Sequence, residues 1–218
     1  MPRPNKCVVI QGTYENKESV KKIRNSFLLS GDYQIIWSTW NYIPKDWFYP
    51  SEIVIQNNPP SHSGHANYNY QKISTINGMM KAMELGYKRA IKWRSDMIPT
   101  NPFKLYELFG DGLNIYFWVN SEMGYVADFV FEGECEDIIK IFSPEDGHKE
   151  KLIFPEHSIT RQIYRNELNF KTQTFGQNLT NENDIFWIKR NYHLSENKNH
   201  PSLYFTRIPL NWKAYPLI

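Results

Sequence analysis

Asp96 ends a short apolar run, Arg89-Ala-Ile-Lys-Trp-Arg-Ser-Asp96, and is the side chain of this sequence best suited to hold a metal. A carboxylate at the rim of a sheet takes a hard divalent cation through oxygen and leaves other positions to water and phosphate. Mg²⁺ or Mn²⁺ placed there would neutralise the diphosphate of a nucleotide leaving group. Arg94 stands two residues earlier, on the same face of a continuing strand, and its planar fork suits phosphate or a carboxylate. The plainer reading is an ion pair that closes a strand, and one Arg-x-Asp alone favours it.

Other candidates fall on the same predicted edge. Gln11-Gly12-Thr13 follows the first strand and Ser38-Thr39-Trp40 the second. A turn offers backbone donors, and a Trp can stack a base or a sugar. Taken singly, each is better read as a tight turn and a packed Trp. Gln71 and Lys72 open a long helix, whose N-terminal end favours anions. Asp128 lies inside an apolar strand, and Glu156 follows Phe-Pro at a helix start. A transferase acting on a hydroxyl needs a carboxylate within hydrogen-bond reach. The bland alternatives are a satisfied buried acid for Asp128 and a first-turn charge for Glu156. His62-x-x-His65 has no further ligand at metal spacing.

The elements that must position these residues follow from periodicity. Cys7 to Ile10 is β-branched. Asn16 to Leu29 is helical, with Asn16 as N-cap, Glu18 in the first turn and Val20, Ile23 and Phe27 on one face. Gln34 to Ser38 is a second strand, so the opening is a right-handed βαβ unit. Glu52 to Gln56 is a third strand. The long helix ends at Leu85, with Ile73, Ile76, Met80 and Met83 as its apolar face and Gly86 as a left-handed stop. It feeds the strand that delivers Arg94 and Asp96 to the carboxyl edge, where open α/β sheets bind ligands. Further on, Asn101 to Phe109 reads as a helix, Leu113 to Trp118 and Val126 to Phe131 as strands, and Cys135 to Phe142 as a helix. A helix from Phe154 to about Leu168, a strand over Asn169–Phe175, a helix over Asp184–Asn191 and an extended wrapping tail complete the pattern.

With 218 residues and no Gly/Ser/Pro-rich linker, one domain spans the chain: residues 6–118 form a nucleotide-binding α/β half, and 119–218 an acceptor-side half with its tail. The net charge of +2 without a basic run argues against a nucleic-acid partner. Two distant Cys, one in a predicted buried strand, favour a reducing compartment, the cytoplasm. No apolar segment is long enough to span a membrane, while peripheral association with one stays compatible. A 16% aromatic share suits cores and also sites that stack sugars.

Val9-Ile-Gln-Gly12, the Arg24…Phe27 spacing, Ile36-Trp-Ser-Thr-Trp40, Asn57-Asn-Pro-Pro60, Asn67-Tyr-Asn-Tyr-Gln71, Ser74-Thr75, Gly78 and Lys92-Trp-Arg-Ser-Asp96 form an ordered series. Ala127-Asp-Phe-Val-Phe-Glu-Gly133 and Pro155-Glu156 continue it. The series resembles the WavE-type lipopolysaccharide synthesis family over roughly Lys6 to Leu168. That family is similar to nucleotide-sugar glycosyltransferases of the GT-A type. The resemblance implies a single Rossmann-like α/β domain, a mixed central sheet flanked by helices, and a divalent metal at an Asp-x-Asp-like motif on the fourth strand. Here Arg94-Ser95-Asp96 occupies that motif, with Asp96 as the metal ligand. Arg94 stands where many such enzymes have the first Asp, and Tyr70 where the family tends to have Arg.

The expectation is therefore a glycosyltransferase with a nucleotide diphosphate sugar as donor, a glycan hydroxyl as acceptor and Mn²⁺ or Mg²⁺ as cofactor. Gln11, Gly12, Thr13, Ser38, Thr39, Trp40, Gln71, Lys72 and Arg94 would surround the nucleotide, and Glu156 or Asp128 would act as acceptor base. It requires an Asp96 carboxylate that is not turned inward and lies near the loops after the first two strands. The alternatives are a carbohydrate-binding module on the same fold and a nucleotidyltransferase. The second would want a Gly-rich, basic first loop, which Gln11-Gly-Thr-Tyr is not.

Overall fold

The computed structural model of the chain describes residues 6–30, 33–99, 113–119, 124–143, 158, 159, 162, 170–175, 193–194 and 205–207. The expected helices over Asn101–Phe109 and Asp184–Asn191 lie outside these residues, as does Glu156.

The central strand β1 (Lys6–Gln11) is buried on both faces. Alternation sends Cys7 and Val9 to one core and Val8 and Ile10 to the other. Helix α1 (Lys17–Ser30) covers the second core with Val20, Ile23 and Phe27. Asn16 caps it as expected, accepting from the Ser19 N–H at 2.9 Å. Strands β2 (Tyr33–Trp40) and β3 (Ile53–Asn57) pair parallel to one side of β1. Between them, Arg24 makes two 2.7 Å bonds to Glu52 and lies 4.1 Å from the Tyr49 ring, which holds the aromatic loop onto α1.

Helix α2 (Tyr68–Glu84) and helix α3 (Cys135–Phe142) cover the other face. Strand β4 (Arg89–Arg94) pairs parallel to the free side of β1. Ser95 and Asp96 then form a turn, and β5 (Met97–Pro99) leaves the main sheet to pair with β10 (Phe205–Arg207). Strands β6 (Leu113–Val119), β7 (Gly124–Glu134), β8 (Phe170–Phe175) and β9 (His193–Leu194) complete the sheet, in the order β3-β2-β1-β4-β7-β6-β8-β9. β7 alone among these runs antiparallel to its neighbours. The chain thus turns to opposite sides of β1, and the switch point lies between β1 and β4, where such sheets bind ligands.

One expectation fails. Helix α2 does not bury Ile73, Ile76, Met80 and Met83 as its core face: Met80 is 57% exposed and Met83 38%, and the two Ile are only half-buried. It buries Ser74, Thr75, Gly78, Met79 and Ala82 instead. The reason is proximity, because a Cβ on Gly78 would overlap Val9 Cγ1 and lie 3.2 Å from Ser38 Cβ. The helix sits so close to the sheet at Gly78 that small residues, Ser74, Gly78 and Ala82, line its closest contact, with Met79 buried beside them. Its end is as expected. Gly86 has φ +81°, Gly86 N–H donates to Met83 O at 2.7 Å and Tyr87 N–H to Ala82 O at 3.0 Å, a Schellman stop.

Gly78→Ala separates these effects. In an exposed helix the change would gain about 1 kcal/mol. Here overpacking against Val9 should outweigh that, with a net loss of roughly 1–2 kcal/mol in urea unfolding, partly recovered by adding Val9→Ala. A Gly78→Ala protein as stable as the parent would refute the close approach.

Candidate functional site

The strand register lines up the first three candidates. Gln11 pairs with Ser38 on one side and with Arg94 on the other, so these residues form a row across β2, β1 and β4. The turns behind the row are knitted together. Ser95 N–H donates to Gln11 O at 2.9 Å, Ser95 Oγ to Thr13 O at 2.6 Å and Gly12 N–H to Ser38 O at 3.1 Å. Gly12 has φ +128°, and a Cβ there would collide with Ser95 Oγ, so glycine is required twice over.

Helix α2 joins the row through short side chains. Ser74 Oγ donates to Gln11 Oε1 at 2.6 Å, and Ser38 Oγ donates to Ser74 O at 2.6 Å. Asn57, at the end of β3, donates to Ser38 Oγ and to Thr39 O, and accepts from Asn77. Ser74 and Asn57 were not singled out from residue chemistry. The available signal was the small residues Ser74, Gly78 and Ala82 four apart, which mark a helix face pressed against backbone.

The charged part of the site is a buried cluster around Arg94. Its Nε and Nη2 bind both oxygens of Asp96, at 2.9 and 2.6 Å, and Nη1 binds both oxygens of Asp128, at 2.8 and 3.1 Å. The Asp96 and Asp128 side chains are 3% and 2% exposed, that of Arg94 17%. Gln71 Nε2 also donates to Asp128 Oδ2, and fully buried Lys92 donates to the Asp128 carbonyl. Burial alone would raise the Asp128 carboxyl. Arg94, then Lys92, and hydrogen bonds from Gln71 and Arg94 outweigh burial and hold it below the usual carboxylate range. Burial opposes the charge of Arg94, but Asp128 and Asp96 overcome it and hold the guanidinium above its ordinary pKa.

The structure corrects three roles. Asp96 does lie beside the loop after β1, through the turn it shares with Ser95. Its carboxylate, however, is turned inward onto Arg94, because the chain turns at Ser95 instead of continuing the strand, so the condition set from the sequence for transfer through an Asp96-held metal is not met. With both oxygens of Asp96 and both of Asp128 on guanidinium N–H groups, the carboxylates as placed do not fit a divalent cation. Among the described residues no group of three or more His, Cys, Asp or Glu could hold one. Asp128, fixed as a weakly basic carboxylate, is a poor acceptor base. Trp40 is also not a stacking platform: it is buried, edge-on to Tyr70 with ring centroids 4.7 Å apart. Lys72 and Gln71 sit half-buried in the first turns of α2.

Four buried oxygens near this edge lack a partner among the described residues: Thr13 Oγ1, Thr39 Oγ1, Gln71 Oε1 and Thr75 Oγ1. Each unsatisfied buried group costs about 1–3 kcal/mol, so a polar ligand able to reach them would recover it. Covalent thiol chemistry is disfavoured. Cys7 and Cys135 are buried, and burial, then Glu134, pushes the Cys135 thiol up to about 12.

Neither a protein-family model nor a curated protein matches the chain. The inositol-1-phosphate CTP transferase from T. maritima is similar in structure, with a TM-score of 0.52 at 12% identity over 84% of this chain and 92% of that one. A glycosyltransferase involved in the glycosylation of the major capsid of PBCV-1 matches at TM-score 0.48 and 8% identity, over 73% and 74% of the two chains. The glycosyltransferase GlyE of Streptococcus pneumoniae TIGR4 matches at 0.46 and 15%, over 76% of this chain and 44% of its own. The likeness to the CTP transferase is one of fold. The chain has the expected α/β architecture, a mixed central sheet flanked by helices, GT-A-like and Rossmann-type. No described helix is long and apolar enough to cross a membrane.

Removing the guanidinium should leave two buried carboxylates without their cation. Arg94→Met is expected to lose roughly 3–5 kcal/mol at pH 7. The gap to the parent should narrow as pH falls. The parent's depressed Asp128 carboxyl gives stability above its unfolded pKa and loses it on acidification, whereas the variant is relieved by protonation. Urea midpoints from pH 7 to 4 that run parallel for the two proteins would disprove this.

Proposed function

We propose that this chain transfers a sugar from a nucleotide diphosphate sugar to a hydroxyl of a glycan, in the synthesis of a polysaccharide, lipopolysaccharide or glycoprotein glycan. The observation that carries the reading is the row Ser38–Gln11–Arg94 across the switch point, with partnerless oxygens of Thr13, Thr39, Gln71 and Thr75 near the same edge. A nucleotide diphosphate is a large polar ligand that suits such an edge. The WavE-type resemblance, whose residue blocks fall on these strand ends, supports the same reading.

In this proposal Gly12 and Thr13 meet the nucleoside, the buried Gln11, Ser38 and Thr39 support that edge from beneath, and Lys72 with the positive end of α2 faces the diphosphate. The acceptor oxygen bonds to the anomeric carbon as the bond to the diphosphate oxygen breaks. The nucleoside diphosphate leaves with the bonding pair. The acceptor proton passes to a carboxylate, for which Glu156 is the candidate if the reaction inverts. Arg94, Asp96 and Asp128 act by holding β4, its turn and β7 in place around the donor.

A second reading, nucleotidyl transfer, draws on the fold shared with the CTP transferase. The first loop argues against it. Residues 12–16 supply one glycine and the exposed acid Glu15, but no cation for a triphosphate.

The two readings release different products. Incubation with UDP-, GDP-, CDP- and dTDP-sugars should release a nucleoside diphosphate from at least one donor. Asp96→Asn, which weakens the hold on Arg94, should slow that release by roughly tenfold or more. Pyrophosphate released from a nucleoside triphosphate and a sugar phosphate, with every nucleotide sugar untouched, would replace this proposal with the second.

A further inference from the structure

We propose that the charge cluster at the end of β4 closes the position a divalent cation would take, so that this chain binds the nucleoside diphosphate of its donor without a metal. The inference rests on the glycosyl-transfer reading and concerns how that same site handles charge.

The geometry leaves little for an ion to take. Asp96 and Asp128 present four carboxylate oxygens, and Arg94 occupies all four from three of its nitrogens. Gln71 takes a second bond on Asp128. Mg²⁺ binds through one or two carboxylates in a nearly ideal octahedron, and that requires oxygens facing the ligand side. Here they face a guanidinium and are almost wholly shielded from solvent.

Charge counts the same way. Two carboxylates are matched by two cations, the mostly buried Arg94 and the fully buried Lys92. A divalent ion added to that cluster would leave it strongly positive inside a low-dielectric site. An ion that displaced Arg94 would leave a mostly buried guanidinium without its carboxylates, a strongly destabilising change for a buried pair. Lys92 is fully buried, with its ammonium 5.5 Å from the Phe131 ring and 5.2 Å from the Phe142 ring. The cluster is therefore a closed clamp. The leaving diphosphate is met instead from the α2 side, where Lys72 stands in the first turns of a 17-residue helix.

The test uses the full chain, stripped of metal with EDTA and desalted. Calorimetric titrations with UDP, GDP, CDP and dTDP are run in EDTA and again in excess Mn²⁺, and the paramagnetic resonance signal of free Mn²⁺ is followed as protein is added. The best nucleotide is expected to bind with Kd unchanged within about threefold between the two arms, and the Mn²⁺ signal to persist. Arg94→Met, which opens the clamp, should bind Mn²⁺, and adding Asp96→Asn should abolish that gain. Nucleotide binding seen only with Mn²⁺, or a parent protein that binds Mn²⁺ as well as Arg94→Met does, overturns the inference and leaves glycosyl transfer standing. Binding of no nucleotide in either arm overturns both.

Discussion

A guanidinium held between two buried carboxylates is the constraint on which the rest of this structure turns. Arg94 ends β4, the strand paired parallel to β1, Asp96 lies in the turn that follows, and Asp128 comes from the antiparallel strand β7. Desolvating such charges costs several kcal/mol each, and only near-ideal geometry returns it. A bidentate pair of bonds to Asp96 and a bifurcated contact from Nη1 to Asp128 provide that geometry. The junction between the parallel half of the sheet and its antiparallel strand is thus fixed by electrostatics, which is more exacting about distance than apolar packing. Gln71 and Lys92 extend the hold to α2 and to the core beneath α3.

Close approach of α2 is the companion constraint. Hydroxyls reach only short distances, so Ser74 can bond Gln11, and Ser38 can bond Ser74 O, only if helix and sheet nearly touch. Gly78 permits that contact against Val9. A helix set at ordinary spacing by large apolar side chains would leave Gln11 without its serine. The site residue and the packing residue are thereby two consequences of one distance.

Much of this was legible in the sequence. The βαβ opening, the Asn16 cap, the Gly86 stop and the bounds of α3 are local properties, written in cap residues and in apolar spacing. The strand-end positions of Gln11 and Arg94 followed from those elements, whereas β2 runs on through Trp40 and holds Ser38, Thr39 and Trp40 inside the strand instead of in a turn after it. The buried face of α2 was misread because periodicity weighs apolar residues, whereas here the contact line is small and polar. The partner of Arg94 was half legible. An ion pair with Asp96 two residues away was in view, but Asp128, thirty-four residues on, meets Arg94 only once β7 has docked. Trp40 shows the same limit, since its type suits stacking on a ligand and only the fold decides that it stays inside.

The turn at Ser95 and Asp96 has a consequence in time as well as in space. Directly after it, β5 leaves the main sheet and takes β10, residues 205–207, as its antiparallel partner. During synthesis these residues reach the ribosome exit more than a hundred codons after Asp96 does. β5 must wait for them with its backbone donors and acceptors unpaired. Pairing of β5 is thereby tied to late translation, and a nascent chain would carry the Ser95–Asp96 turn before it carries the strand that completes β5.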